Sequence, residues 1–175
     1  MPPEEQPRRR IDRVLDPVYL GELPDCEIDE LRERHAECLE IETEVSYVRR
    51  LCQARLDILR AELDRRSKGG SVGELIAALP QILADDGPRA PVTESRLPRH
   101  LAPSMDITWN RGLEHLVFDG TLANLPTLSD DELRSTIDGL TELESELSSR
   151  RHQLHRVIDA IELDLAGRHK VGRTS

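Results

Sequence analysis

Glu42, Ser46, Arg49, Gln53 and Asp57 stand four, three, four and four positions apart, and the same spacing recurs at Glu144, Ser148, Arg151, His155 and Asp159. On an α-helix these steps keep all five side chains on one face. The residue types suit recognition. A guanidinium fork takes a phosphate with two hydrogen bonds, or the O6/N7 edge of a guanine. Carboxylates ask for donors, and the N1–H/N2–H edge of guanine supplies them. A ligand that carries phosphates and guanines, and is itself roughly twofold symmetric, would answer both copies.

The elements that must hold these residues are two long helices. The first is expected from about Cys26 to Arg66, with Pro24 and Asp25 as start signals and Gly69-Gly70-Ser71 as its stop. The second is expected from about Ser129 to Gly167, opened by a Ser129-Asp-Asp-Glu132 capping box. The two segments align beyond the stripe. Leu23-Pro24 matches Leu125-Pro126 and Asp29-Glu-Leu-Arg32 matches Asp131-Glu-Leu-Arg134, so the chain carries an internal repeat. Each copy has a heptad seam, with Leu31, His35, Cys38, Val45, Cys52, Leu56, Leu59 and Leu63 in the first, and Leu133, Ile137, Leu140, Leu147, Leu154, Ile158, Ile161 and Leu165 in the second. The fold class that follows is all-α: two long helices in an antiparallel coiled-coil hairpin, with short helices in the connector. Residues 1–18 read as a flexible arm, 19–66 and 129–167 as the two repeats, 67–128 as the connector and 168–175 as a tail. In the connector, Ser71-Val-Gly-Glu74 caps a short helix reaching about Leu83 and kinked at Pro80. Residues 84–104 read as loop, and Met105–Phe118 as a second amphipathic helix.

Glu42, Arg49, Glu144 and Arg151 fall on the seam itself, where an unpaired charge costs several kcal/mol. Two registers account for them. Offset, Glu42 faces Arg151 and Arg49 faces Glu144, and the charges fix register as they do in coiled coils. Centred, Arg49 nears Arg151, Glu42 nears Asp159 and Asp57 nears Glu144; like charges then meet and a guest must lie between them.

Composition removes several function classes. Only 2% of the 175 residues are aromatic and 33% are charged, which suits an elongated helical protein better than a sandwich or barrel. A net charge of −10 argues against direct binding to duplex DNA or to an anionic membrane, and suits a basic protein partner. No stretch is apolar enough to span a bilayer, and the opening Met-Pro-Pro-Glu-Glu is not a signal peptide. The cysteines, Cys26, Cys38 and Cys52, show no C-x-x-C pairing, so a reduced, cytoplasmic setting is expected. His152 and His155 lack a third ligand of suitable spacing, so no metal is expected. No nucleophile–base arrangement or Gly-rich phosphate loop is legible, so no enzyme is expected.

The pattern E-x3-S-x2-R-x3-Q-x3-D, present twice, resembles the cyclic di-GMP signature of RsiG-type anti-sigma factors. The first copy matches at five positions; the second matches at four, with His155 where the pattern has Gln. The resemblance implies that all ten stripe residues bind cyclic di-GMP, as two molecules, on the coiled coil. It further implies that the liganded chain sequesters a WhiG-type sigma factor and so blocks sporulation genes. The other class of function open to such a chain is a ligand-independent coiled-coil adaptor whose polar seam only sets register.

Overall fold

A helix with one apolar seam cannot bury that seam alone, so the fold is decided by what each seam meets. A computed structural model describes residues 10–84 and 124–171. Its helices are α1 (Arg10–Val14), α2 (Pro17–Gly21), α3 (Ile28–Lys68), α4 (Val72–Ile82) and α5 (Asp130–Val171). Short 3-10 turns, Leu23–Asp25 and Leu125–Thr127, precede α3 and α5. Among the described residues there is no strand. The expected all-α fold, with long helices packed together, is the one formed.

By its contacts the chain divides into two units, and each long helix contributes to both. In the first unit (residues 1–46 and 148–175) the first half of α3 packs on the second half of α5. Leu31, Cys38, Ile41 and Val45 are buried there with Leu154, Ile158 and Ile161. Hydrogen bonds join His35 to Glu162 and Glu42 to Arg151, so residue numbers rise on one helix as they fall on the other. In the second unit (residues 47–147) Cys52, Leu56 and Leu59 are buried with Leu133, Leu140 and Leu147. The Cys52 thiol donates to the Leu140 carbonyl, and Arg60 to Thr141. Both units are antiparallel, and most of the expected seam residues are buried, whereas His35, Leu63, Ile137 and Leu165 are half-buried and Ile41, Val48, Leu143 and Val157 join the core from beside the seam. All three cysteines are free and buried.

The long helices are stopped as their sequences require. Ser129 and Glu132 form the expected capping box at the start of α5: the Glu132 amide donates to the Ser129 hydroxyl and the Ser129 amide to the Glu132 carboxylate. Ser71 and Glu74 do the same for α4. Gly69, at φ 71°, takes the left-handed conformation that ends α3.

Four expectations change. Residues 10–18, expected within a flexible arm, instead form α1 and the start of α2. Ile11 and Val14 lie one helical turn apart and are both buried. Arg10 and Arg13 pair with Glu40 and Glu37 on α3, and Asp12 with Arg150 on α5. Asp25, expected to cap α3, lies in the 3-10 turn, because Pro24 sets that turn and α3 begins only at Ile28. α3 ends at Lys68 rather than Arg66. α5 runs to Val171, beyond Gly167 and into the expected tail. The expected loop from residue 85 onward and the expected helix over 105–118 lie outside the described residues.

Candidate functional site

The stripe residues of the first unit gather on one carboxylate. Glu42 Oε1 accepts from the Ser46 hydroxyl at 2.8 Å, from Arg151 Nε at 3.0 Å and from His155 Nε2 at 3.2 Å. Arg151 Nε also donates to Ser46 Oγ at 2.9 Å. Burial works to raise the Glu42 carboxyl, but the hydrogen bonds from Ser46, His155 and Arg151 outweigh it and hold it below its ordinary range. Ser46 is buried, while the Glu42, Arg151 and His155 side chains keep 21, 32 and 34% of their surface exposed. Ser148 is half-buried, and Asp159 is exposed one turn beyond His155.

The second unit repeats part of the arrangement, with Glu144 at its centre and Arg49 and Gln53 as its donors. Glu144 Oε1 accepts from Gln53 Nε2 at 3.0 Å and from Arg49 Nη1 at 3.3 Å. Arg49 and Glu144 are each 23% exposed. Arg49 Nε is buried and finds no hydrogen-bond partner among the described residues. Asp57 is exposed on the same helix.

Of the two registers the sequence allows, these contacts are the offset one. Glu42 is held by Arg151 and Glu144 by Arg49. The two copies also do equivalent work: Gln53 and His155 occupy matching places, and each donates to the glutamate of the facing helix. The departure at His155 therefore preserves the hydrogen bond that Gln makes in the other copy.

A second pair of matching residues was not singled out from the sequence. Arg168, near the end of α5, donates to the carbonyls of Leu23, Pro24 and Cys26 in the turn that opens α3. Arg66, near the end of α3, donates to the carbonyls of Leu125 and Leu128 in the turn that opens α5. Each is steadied by an acid four residues earlier, Asp164 for Arg168 and Glu62 for Arg66. Glu62 is 3% exposed and bonds both Arg65 and Arg66, which bring its carboxyl down to about 2. The signal was present in the repeat. Arg66 and Arg168 share one position of it, as the two Leu-Pro pairs share another. The clamps tie the end of each long helix to the turn that opens the other.

The stripes thus place two arginines, a serine, an amide and an imidazole as donors around two carboxylates, all on partly exposed seams. This set can bind an anion and a hydrogen-bonding base, and it contains no arrangement for nucleophilic attack. Among the described residues no group of His, Cys, Asp and Glu could hold a metal. Comparison with family models matches the RsiG-like family over residues 17–83 and 119–175. The chain belongs to the RsiG-like family. No individual curated protein matches it. The matched stretches hold both stripes, both Leu-Pro turns and both clamping arginines. Membership makes the chain a member of an anti-sigma factor family, a regulator of transcription whose partner is a sigma factor. No helix among the described residues is long and apolar enough to cross a membrane.

Proposed function

We propose that this RsiG-like chain binds cyclic di-GMP through its two stripes and, when liganded, sequesters a WhiG-type sigma factor in the cytoplasm, holding back sporulation genes. The observation that carries the reading is the five-position motif, repeated in register on both long helices of a chain in this family. The residues fit the ligand. Arg49 and Arg151 are suited to its phosphates. Glu42, Glu144, Asp57 and Asp159 are suited to guanine N–H donors, and Ser46, Ser148, Gln53 and His155 to the remaining polar edges. The Arg49 Nε–H is a donor in want of an acceptor.

The glutamates that now hold the arginines do not stand in the way. Partly exposed ion pairs of this kind are worth about 0–1 kcal/mol, whereas a bidentate arginine–phosphate contact is a charge-assisted double hydrogen bond. An incoming phosphate at Arg49 therefore exchanges a weak partner for a stronger one and frees Glu144 for a base. The acidic chain attracts the dinucleotide through these arginines and not through its overall charge, while that charge suits a basic sigma factor.

The self-neutralised pairs Glu42–Arg151 and Arg49–Glu144 favour a second reading, a ligand-independent adaptor. Calorimetry with cyclic di-GMP separates the two, since the adaptor gives no heat. Co-purification with the sigma factor, with and without cyclic di-GMP, tests the switch; equal recovery in both conditions removes it.

A further inference from the structure

The two half-sites are built from the same motif but are not equally free to accept an anion. In the first unit Arg151 Nε has two acceptors, Glu42 Oε1 at 3.0 Å and Ser46 Oγ at 2.9 Å. Its carboxylate partner is held in turn by Ser46 and His155. The four side chains form a closed network in which the arginine's inner N–H is satisfied twice. In the second unit the acceptor that Arg49 has among the described residues is Glu144 Oε1, at the longer distance of 3.3 Å through Nη1. Its Nε–H is buried with nothing to bond among the described residues.

We infer that the half-sites fill in order: Arg49 takes the first phosphodiester and Arg151 the second. The inference rests on the cyclic di-GMP reading above and deepens it. The physical reason is the asymmetry in what each arginine surrenders. An acceptor arriving at Arg49 satisfies a buried donor that has none, which is worth roughly tenfold or more in an equilibrium. An acceptor arriving at Arg151 must displace Glu42 and Ser46 from a donor already satisfied, so the gain of the new contact is offset by the loss of the old ones. The carboxylates do not set the order, since Glu144 keeps Gln53 when its arginine leaves and Glu42 keeps Ser46 and His155; the difference lies in the arginines. A stripe that is symmetric in sequence thus works as a high-affinity position and a low-affinity one, and the second molecule of ligand reports a higher concentration than the first.

The test is calorimetric titration of the full chain with cyclic di-GMP, comparing the parent with Arg49→Ala, Arg151→Ala, Arg49→Lys and Arg151→Lys. Circular dichroism confirms helicity, and the lysine pair carries the comparison if an alanine variant unfolds. The expected result is a first binding event weakened roughly tenfold more by substitution at Arg49 than at Arg151. Arg49→Lys keeps the charge but lacks the Nε–H, so it should recover only part of the affinity lost in Arg49→Ala. Binding by the parent with equal losses at the two positions, or a larger loss at Arg151, overturns the order and leaves the ligand reading standing. No heat from the parent overturns the ligand reading and the order together.

Discussion

Arg168 and Arg66 do the same work at matching positions of the repeat: Arg168 Nη2 lies 2.8 Å from the Leu23 carbonyl, and Arg66 Nη2 lies 3.0 Å from the Leu125 carbonyl. Last-turn arginines usually face the carbonyls of their own helix, where they complement its dipole. These two reach instead to the start of the facing helix. They supply donors to carbonyls of a turn that a proline forbids from continuing as regular helix.

Arg168→Ala should therefore loosen the turn before α3, and Arg66→Ala the turn before α5. Each removes two or three charge-assisted hydrogen bonds from partly buried carbonyls, a loss of about 2–3 kcal/mol. Hydrogen exchange reads the effect: amides from residue 26 to 31 should exchange faster in the first variant, and those from 128 to 133 in the second. Uniform acceleration at both ends in either variant would mean that the arginines act on global stability and not as local clamps.

Glu62 ties two arginines at once, and its removal should be costly. Glu62→Gln is expected to destabilise the chain by about 3 kcal/mol, at the lower end for a broken buried pair because both arginines keep some access to solvent. The sign of the pH dependence follows. The folded-state value near 2 lies below the ordinary 4.5, so the stability this carboxylate lends is full above about 4.5 and is lost as the pH falls toward 2. Denaturant midpoints of parent and variant should differ most near neutrality and converge in acid. A gap that stays constant down to about pH 2 would contradict the pairing.

His155→Gln restores the motif and should change little. Gln53 shows what an amide does at the matching place: it donates to the facing glutamate, as His155 does now. Cyclic di-GMP affinity is expected to stay within about threefold, since one N–H donor to the Glu42 carboxylate replaces another. A large gain would show that the imidazole impairs the site, and a large loss that the ring itself contacts ligand.

α1 is short but docked. Ile11→Ala should cost about 2–3 kcal/mol, as expected for a buried side chain truncated to a methyl. It should also raise exchange at the amides of α1 and α2. An unchanged denaturation midpoint would mean that these residues are held by their ion pairs alone.

The parts of the structure legible in sequence were those repeated over many turns. The seam from Leu31 to Leu59 and from Leu133 to Ile161 carries its period through six or more turns, and the stripe is specified by five positions given twice. α1 was not legible because its two apolar residues, Ile11 and Val14, span a single turn among charged neighbours, which is too short for a period to declare itself. Asp25 resembled a cap because Asp is a common one, but Pro24 beside it imposed a 3-10 turn first. The sequence does not choose the register because the two alignments differ by about one heptad, which keeps seam against seam. Side chains at the helix ends, Arg66 and Arg168, accompany one of them. The order proposed for Arg49 and Arg151 is not visible in sequence for a related reason, since the copies match at four of five positions and the arginines differ in which hydrogen bonds each has found.

The buried thiols have a use that concerns none of these contacts. Burial pushes Cys38 and Cys52 up to about 11, so almost no thiolate exists at neutral pH and both are protected from alkylating reagents while the helices stay packed. Cys38 belongs to the first unit and Cys52 to the second. The chain thus carries a native reporter in each half, and the rate at which each sulfur is trapped is a clock for how often its surroundings breathe open, readable without introducing a single label.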